Sequence, residues 1–344
     1  MKKILLFLLC LFFCNRVYAS TDSAYEYVLM DMDSGNVLLS KNMHVPKLIA
    51  SITKIMTCIL AIENGTLDDI VIVDDTIEKS TGSGIYISIG EEITLRDLLY
   101  GLMLRSGNDA ALMISKYISG SVDDFVSLMN EKAKSIGMRN TIFYNPSGLD
   151  NENGNLSTAY DMALLTRYAM NNDIYKEIVK TKKYISKTNL KTYVWYNKNK
   201  LLSRDFITGG KTGYTEKARR TLVSTASKSN MNFVVVTIRD SDDWNTHLSL
   251  YDYAFNNYYN VKILNKNKFK VIGDKLYDYL YIKEDVYLTI KKGTSKYLIN
   301  HIILNNSVKY DGNPVGTNNI YLDDKLLYTG EIYAKEKSKK KWFN

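Results

Sequence analysis

Three short groups of reactive residues stand in order along the chain. Ser51-Ile52-Thr53-Lys54 sets a hydroxyl and an amine three residues apart. Ser106-Gly107-Asn108 sets a hydroxyl two residues before an amide, and Lys211-Thr212-Gly213 sets an amine beside a hydroxyl and a glycine. A serine hydroxyl is a poor nucleophile until a neighbouring base takes its proton. Residues three apart at the start of a helix share a face, so Lys54 is placed to be that base for Ser51. A lysine serves as a base only when its pKa falls well below ~10.4. Burial, a second cation and the positive end of a helix all push it down. Lys211 is the candidate second cation. Ser106 is a candidate proton relay toward a leaving amine. Asn108 both donates and accepts, so it is suited to hold a lysine and a substrate amide together.

Gly209-Gly210-Lys211-Thr212-Gly213-Tyr214 reads as an edge strand whose glycines let another backbone approach. An extended peptide can add to such an edge. Lys211 and Thr212 would then face its terminal carboxylate. The backbone N–H groups of Ser51 and Tyr214 would form an oxyanion hole. Each motif alone has an ordinary explanation. Ser51 can cap a helix, the lysines can be surface residues, and Gly-Lys-Thr-Gly can be a turn. The chain also holds Ser338 to Lys341 and Ser34-Gly35-Asn36, which repeat two of the patterns in a basic tail and in a turn. The ordered triple is far more specific than its parts. No G-x-S-x-G elbow and no phosphate-binding G-x-x-x-x-G-K-[ST] loop is present. His44, His247 and His301 have no metal-ligand spacing, so no metal or other cofactor is expected.

These residues need elements to position them. Tyr25 to Met32 and Val37 to Ser40 alternate around Asp33-Ser34-Gly35-Asn36, which predicts a β-hairpin. Helical spacing runs from Ser51 to about Glu63, with Gly65 as a stop, and again over Leu95 to Leu104, Ala110 to Ile118, Val122 to Ile136 and Ala159 to Met170. Beyond Tyr184 the pattern turns to strand. Thr221 to Ser227 and Phe233 to Arg239 read as neighbouring buried strands, and Leu248 to Tyr258 as a closing helix. Strands, helices, strands and a helix in that order predict an α+β domain with an antiparallel sheet and a helical insertion. From about Val261 to Tyr333, short alternating segments with turns such as Asp311-Gly312-Asn313 predict a small all-β domain.

The 344 residues carry a net charge of +8 and 45% hydrophobic residues, a globular composition. Met1-Lys2-Lys3, an apolar run from Ile4 to Cys14 and a small residue at Ala19 predict an export leader over residues 1–19. Its removal takes Lys2, Lys3 and Arg16, lowering the charge to +5, and leaves Cys58 as the one cysteine. A large exported protein without disulfides fits a bacterial envelope, at the wall or the outer face of the cytoplasmic membrane. The modest charge suits polyanionic surfaces and gives no case for nucleic acid. The expected organisation is a catalytic domain over 20–260, a β-rich domain over 261–334 and a basic tail over 335–344. The tail holds five lysines with Trp342 and Phe343. It reads as solvated, with a weak membrane-surface contact as the alternative.

The triple and its flanks resemble the low-molecular-mass penicillin-binding serine D-alanyl-D-alanine carboxypeptidases of the peptidase S11 type. Tyr27 to Asp31 with Ser34-Gly35, Arg105 to Ala111, Asn145 to Leu149, Ser157 to Met162 and Lys211 to Thr215 carry the likeness. It implies a β-lactamase/transpeptidase-like first domain. It implies that Ser51 is acylated by a stem peptide ending in D-Ala-D-Ala, with Lys54 as general base, and that β-lactams trap Ser51. The family also places an arginine just before the closing helix to hold the substrate carboxylate. Here Asp242 to His247 stand there, leaving Arg239 or His247 as substitutes. The amphipathic anchor helix usual at the family's C-terminus is reduced to the short tail. A serine β-lactamase is the first alternative, although no E-x-x-L-N segment lies between Asn108 and Lys211. A non-catalytic peptidoglycan-binding protein is the second.

Overall fold

The computed structural model describes residues 23–150, 153–271, 279–305 and 312–335. The leader, Asp311 and most of the basic tail therefore lie outside the described residues. Strands β1 (Ala24–Asp31) and β2 (Val37–Lys41) form the expected hairpin. The short β3 (Lys47–Leu48) and a 3₁₀ turn over Ala50–Thr53 lead into α1 (Lys54–Asn64). The paired β4 (Ile70–Ile72) and β5 (Glu92–Thr94) precede α2 (Leu95–Tyr100), α3 (Asn108–Ser119) and α4 (Val122–Ser135). Next come β6 (Leu156–Ser157), which pairs with β3, then α5 (Ala159–Ala169) and α6 (Asp173–Lys180). A hairpin of β7 (Lys183–Lys187) and β8 (Thr192–Tyr196) follows. The first unit ends with β9 (Ile207–Thr215), β10 (Arg219–Lys228), β11 (Met231–Asp240) and α7 (Asp243–Asn257).

The main sheet runs β2-β1-β11-β10-β9, so strands from both ends of the unit pair across the helical insertion. Side chains of a strand alternate between faces. Val28, Met30, Val223, Val234, Val236 and Ile238 therefore pack on the helical insertion, whereas Leu29, Leu222, Phe233 and Val235 pack on α7. With both faces covered, β1 and β11 carry consecutive apolar residues, Tyr27 to Met30 and Phe233 to Val236, rather than alternating ones. Helix α1 is the centre of this core, and Lys54 through Ala61 are all buried. β9 is left at the free edge, as its glycines predict.

Three elements differ from the sequence reading. Leu95 to Leu104 is not one helix. α2 stops at Tyr100, and a π-helical turn over Gly101–Arg105 follows, ending at Ser106 in a left-handed conformation (φ 65°). α6 was not expected, and α7 begins at Asp243 instead of Leu248. Its first turn is charged and polar, so the apolar pattern starts a turn late.

The second unit begins with β12 (Tyr258–Leu264), directly after α7. It adds β13 (Leu280–Tyr281), β14 (Val286–Lys291), β15 (Leu298–Leu304), β16 (Gly316–Leu322) and β17 (Lys325–Ala334). Two small cores centred on Ile320 and Ile332 hold it together. Polar contacts join it to the first unit, among them Asn36 Nδ2 to the Leu327 carbonyl (3.3 Å) and Lys292 Nζ to the Asn256 carbonyl (2.6 Å).

Candidate active site

Ser51 sits in the 3₁₀ turn that feeds α1, and neighbours from distant segments fix that turn. Thr221 Oγ1 donates to the Ile49 carbonyl (2.9 Å), and Asn155 Nδ2 donates to Thr53 Oγ1 (2.9 Å). Ala50 adopts φ 48°, an uncommon conformation for a residue with a Cβ. Gly148 lies directly against it. A Cβ at Gly148 would stand 2.0 Å from the Ala50 carbonyl oxygen and 3.0 Å from the Ser51 nitrogen. Gly213 of β9 approaches from the other side, where a Cβ would stand 2.9 Å from the Ser51 nitrogen.

Lys54 is fully buried. Its Nζ lies 3.1 Å from Ser51 Oγ, 2.7 Å from Asn108 Oδ1 and 2.5 Å from the Ser147 carbonyl. A neutral amine has two N–H groups and one lone pair. Asn108 Oδ1 and the Ser147 oxygen can only accept, so they take the two N–H groups. The lone pair is then left for the one partner that can donate, the Ser51 hydroxyl. Asn108 is held in this orientation because its Nδ2 donates to the Thr81 carbonyl (2.6 Å).

Lys211, also buried, donates to Ser106 Oγ (3.1 Å) and to the Thr212 carbonyl (2.8 Å). The left-handed backbone at Ser106 turns its hydroxyl toward this lysine. Burial, Lys211 and Lys198, in that order, push Lys54 well below the ordinary lysine range, against an opposing pull from Asp109. Burial and Lys198 push Lys211 down to about 7. Lys54, Ser51, Asn108, Ser106 and Lys211 thus form one cluster, drawn from three separate stretches of sequence.

A groove of about 310 Å³ opens over the cluster. Ser51, Ser106, Lys198, Thr212, Arg220 and Trp244 are among the residues that line it, with Gly213 and Tyr214 on its β9 side. Thr212 stands there, but neither Arg239 nor His247, the candidate substitutes for the family's arginine, does. His247 is wholly buried, with Nδ1 2.6 Å from Ser224 Oγ and Nε2 3.1 Å from Thr237 Oγ1. Burial lowers its pKa to about 3, so it is a neutral core residue. Arg239 stacks on Tyr25 (5.1 Å) and lines a different cleft. The residue in place is Arg220, opposite Tyr214 in the β10–β9 register. Its Nη2 is ion-paired to Asp243, its guanidinium lies 5.5 Å from the Trp244 ring, and its Nε is buried without a hydrogen-bond partner in the structure. The register was legible: nine residues beyond Lys211, across a tight hairpin, a strand residue returns beside the motif.

The D-alanyl-D-alanine carboxypeptidase profile matches residues 15–242, and the profile of the penicillin-binding protein 5 C-terminal domain matches residues 259–340. This chain belongs to the peptidase S11 family. It is 32% identical to the D-alanyl-D-alanine carboxypeptidase DacF of Bacillus subtilis, over 93% of this chain and 87% of that protein. It is 30% identical to the D-alanyl-D-alanine carboxypeptidase DacA of Escherichia coli K12, over 88% of this chain and 81% of that protein. The crystal structure of penicillin-binding protein 5 from Haemophilus influenzae superposes with a TM-score of 0.76 at 26% identity, covering 91% of this chain and 97% of the other. The S11 family also accounts for the architecture, a transpeptidase-like unit followed by a β-rich one.

Proposed function

We propose that this protein is a serine D-alanyl-D-alanine carboxypeptidase of the bacterial envelope. It removes the last D-alanine from peptidoglycan stem peptides through an acyl-enzyme on Ser51. The observation that carries this reading is the hydrogen-bond set of Lys54, which leaves its lone pair facing Ser51 Oγ. Lys54 takes the hydroxyl proton as Oγ attacks the carbonyl of the penultimate D-alanine. The N–H groups of Ser51 and Tyr214 receive the developing oxyanion. As the C–N bond breaks, the leaving amine gains a proton from Ser106, whose hydroxyl is held by Lys211 and refilled by the proton that Lys54 took. Water then attacks the ester, gives its proton to Lys54, and Ser51 leaves with that proton restored.

Thr212 and the Arg220 guanidinium, which both line the groove, take the substrate's terminal carboxylate, in place of Arg239 or His247. Carbonyl groups and strained lactams present the same electrophile, so β-lactams acylate Ser51. In this reading residues 1–19 are an export leader and 20–260 the catalytic domain. Residues 261–334 are a β-rich domain, and 335–344 a solvated basic tail, with a weak contact to anionic membrane surface as the alternative. The test is intact-mass spectrometry of the protein with benzylpenicillin over time. A lasting single penicilloyl adduct, absent in Ser51→Ala, is expected. A transient adduct with penicillin consumed supports a β-lactamase instead, and no adduct supports a non-catalytic binder.

A further inference from the structure

Beside the Ser51 groove lies a second cleft, of about 470 Å³, which the proposed reaction does not use. The two clefts share Tyr214 and Arg220, so they meet at the C-terminal end of β9. The second is walled by Arg219, Arg220 and Arg239, with Tyr25 and Asp240 at its sides. Arg219 and Arg239 are exposed and make no ion pair within 4.0 Å among the described residues. Both hold positive φ, 61° and 56°, a conformation that costs free energy in a residue with a Cβ. Asp240 does not neutralise them: it is buried, and its Oδ1 accepts from Ser23 and from the Asp242 N–H. Glu26, whose field Arg239 also feels, is paired with Lys47 (3.8 Å). The cleft therefore carries two arginines, Arg219 and Arg239, that make no ion pair among the described residues, and it adjoins a catalytic groove.

The direction of the bound peptide says what reaches it. With the terminal carboxylate at Thr212 and Arg220, and the scissile carbonyl at the Ser51 and Tyr214 N–H groups, residues upstream run along Tyr214 and Thr215. That path leads to the end of β9 where the cleft opens. We propose that the cleft is a subsite for a carboxylate on the side chain of the residue preceding D-Ala-D-Ala. Arg219 and Arg239 are its specificity-determining residues. Arginine pairs with carboxylates through a planar fork of donors, which suits this role better than a point charge.

This inference rests on the proposed carboxypeptidase reading, and its test separates the two. D-alanine release is followed with two pentapeptides whose third residue is either lysine or meso-diaminopimelate, which differ by one side-chain carboxylate. A short diacetyl-Lys-D-Ala-D-Ala substrate serves as the acid-free reference. The wild type is expected to favour the diaminopimelate peptide roughly fivefold to tenfold in kcat/KM, through KM, with the preference shrinking in high salt. Arg219→Gln/Arg239→Gln should abolish that preference while leaving the short substrate unchanged. Arg219→Lys/Arg239→Lys should restore part of it. Equal rates on both pentapeptides in the wild type overturn the inference, as does an equal loss on all three substrates in the Gln variant. No release from any substrate by the wild type overturns the carboxypeptidase reading itself.

Discussion

Two buried lysines in one cluster make the stability of this protein fall as pH falls, as in ordinary acid-side loss, but in the neutral-to-alkaline range. Lys211 titrates at about 7 in the folded protein and near 10.5 when unfolded. Between those values the unfolded chain binds one proton more than the folded one, so stability rises with pH at about 1.4 kcal/mol per unit. The contribution is complete above pH 10.5 and is lost as pH falls toward 7. From pH 7 to pH 9.5 it amounts to about 3 kcal/mol for this one residue. Lys211→Met removes it, at the added cost of leaving Ser106 Oγ and the Thr212 carbonyl without their donor. Urea unfolding followed by the near-ultraviolet signal of the first unit, at half-unit steps from pH 6.5 to 9.5, reads the difference. At 1–3 kcal/mol per molar, the wild type should gain about 1–3 M in midpoint over that range relative to Lys211→Met. Curves for the two proteins that stay parallel to within about 0.5 kcal/mol would refute the claim that Lys211 is neutral in the folded state at alkaline pH.

Other perturbations test the positioning of the site. Gly148→Ala forces a Cβ into the Ala50 carbonyl at a left-handed position (φ 85°), and should cost about 3 kcal/mol in denaturant unfolding and slow acylation by penicillin at least tenfold. His247→Gln should destabilise by about 1–3 kcal/mol through its buried partners Ser224 and Thr237, with KM for the peptide substrate unchanged. Arg220→Gln should raise KM for an acyl-D-Ala-D-Ala acid by roughly tenfold or more and leave the matching C-terminal amide unaffected; a similar loss on both would remove Arg220 from carboxylate recognition.

Much of this site was legible in the sequence because its spacing is local. The three-residue step from Ser51 to Lys54 fixes a shared helical face, and the glycines around Lys211 mark an edge strand. The buried valines of β11 likewise announce a central strand. What was not legible depends on segments far apart in sequence. The Ser147 carbonyl that completes the bonding of Lys54 lies 93 residues away and is a backbone atom, so no residue type signals it. The left-handed turn at Ser106 follows from a π-helical turn that apolar periodicity does not distinguish from an α-helix. His247 looked available because it stands in the segment where the family places its carboxylate-binding arginine. Its burial is set by the packing of α7 on β10 and β11, which periodicity does not measure. Arg220 is not signalled by the family pattern, which points to the head of the closing helix, because it reaches the groove from the adjacent strand.

The position of Arg220 has a physical logic that ties these elements together. α7 starts with Asp243, and an acid at a helix N-terminus is favoured by the unpaired N–H groups there. Asp243 is nonetheless nearly buried, and burial pushes its pKa up. A carboxylate in that place is costly unless a cation shares it, and Arg220 on β10 is the cation within reach. The pair holds the guanidinium by one Nη, 5.5 Å from the Trp244 ring, at the wall of the groove. An arginine locked in this way loses little further freedom when it binds, so its remaining N–H donors are prepared for an incoming carboxylate. The same acid that departs from the family's arginine at the head of the closing helix thus supplies the support for an arginine on the strand beside it. In the proposed reading, carboxylate recognition moves from one element to its neighbour while the serine, the two lysines and the edge strand keep their places.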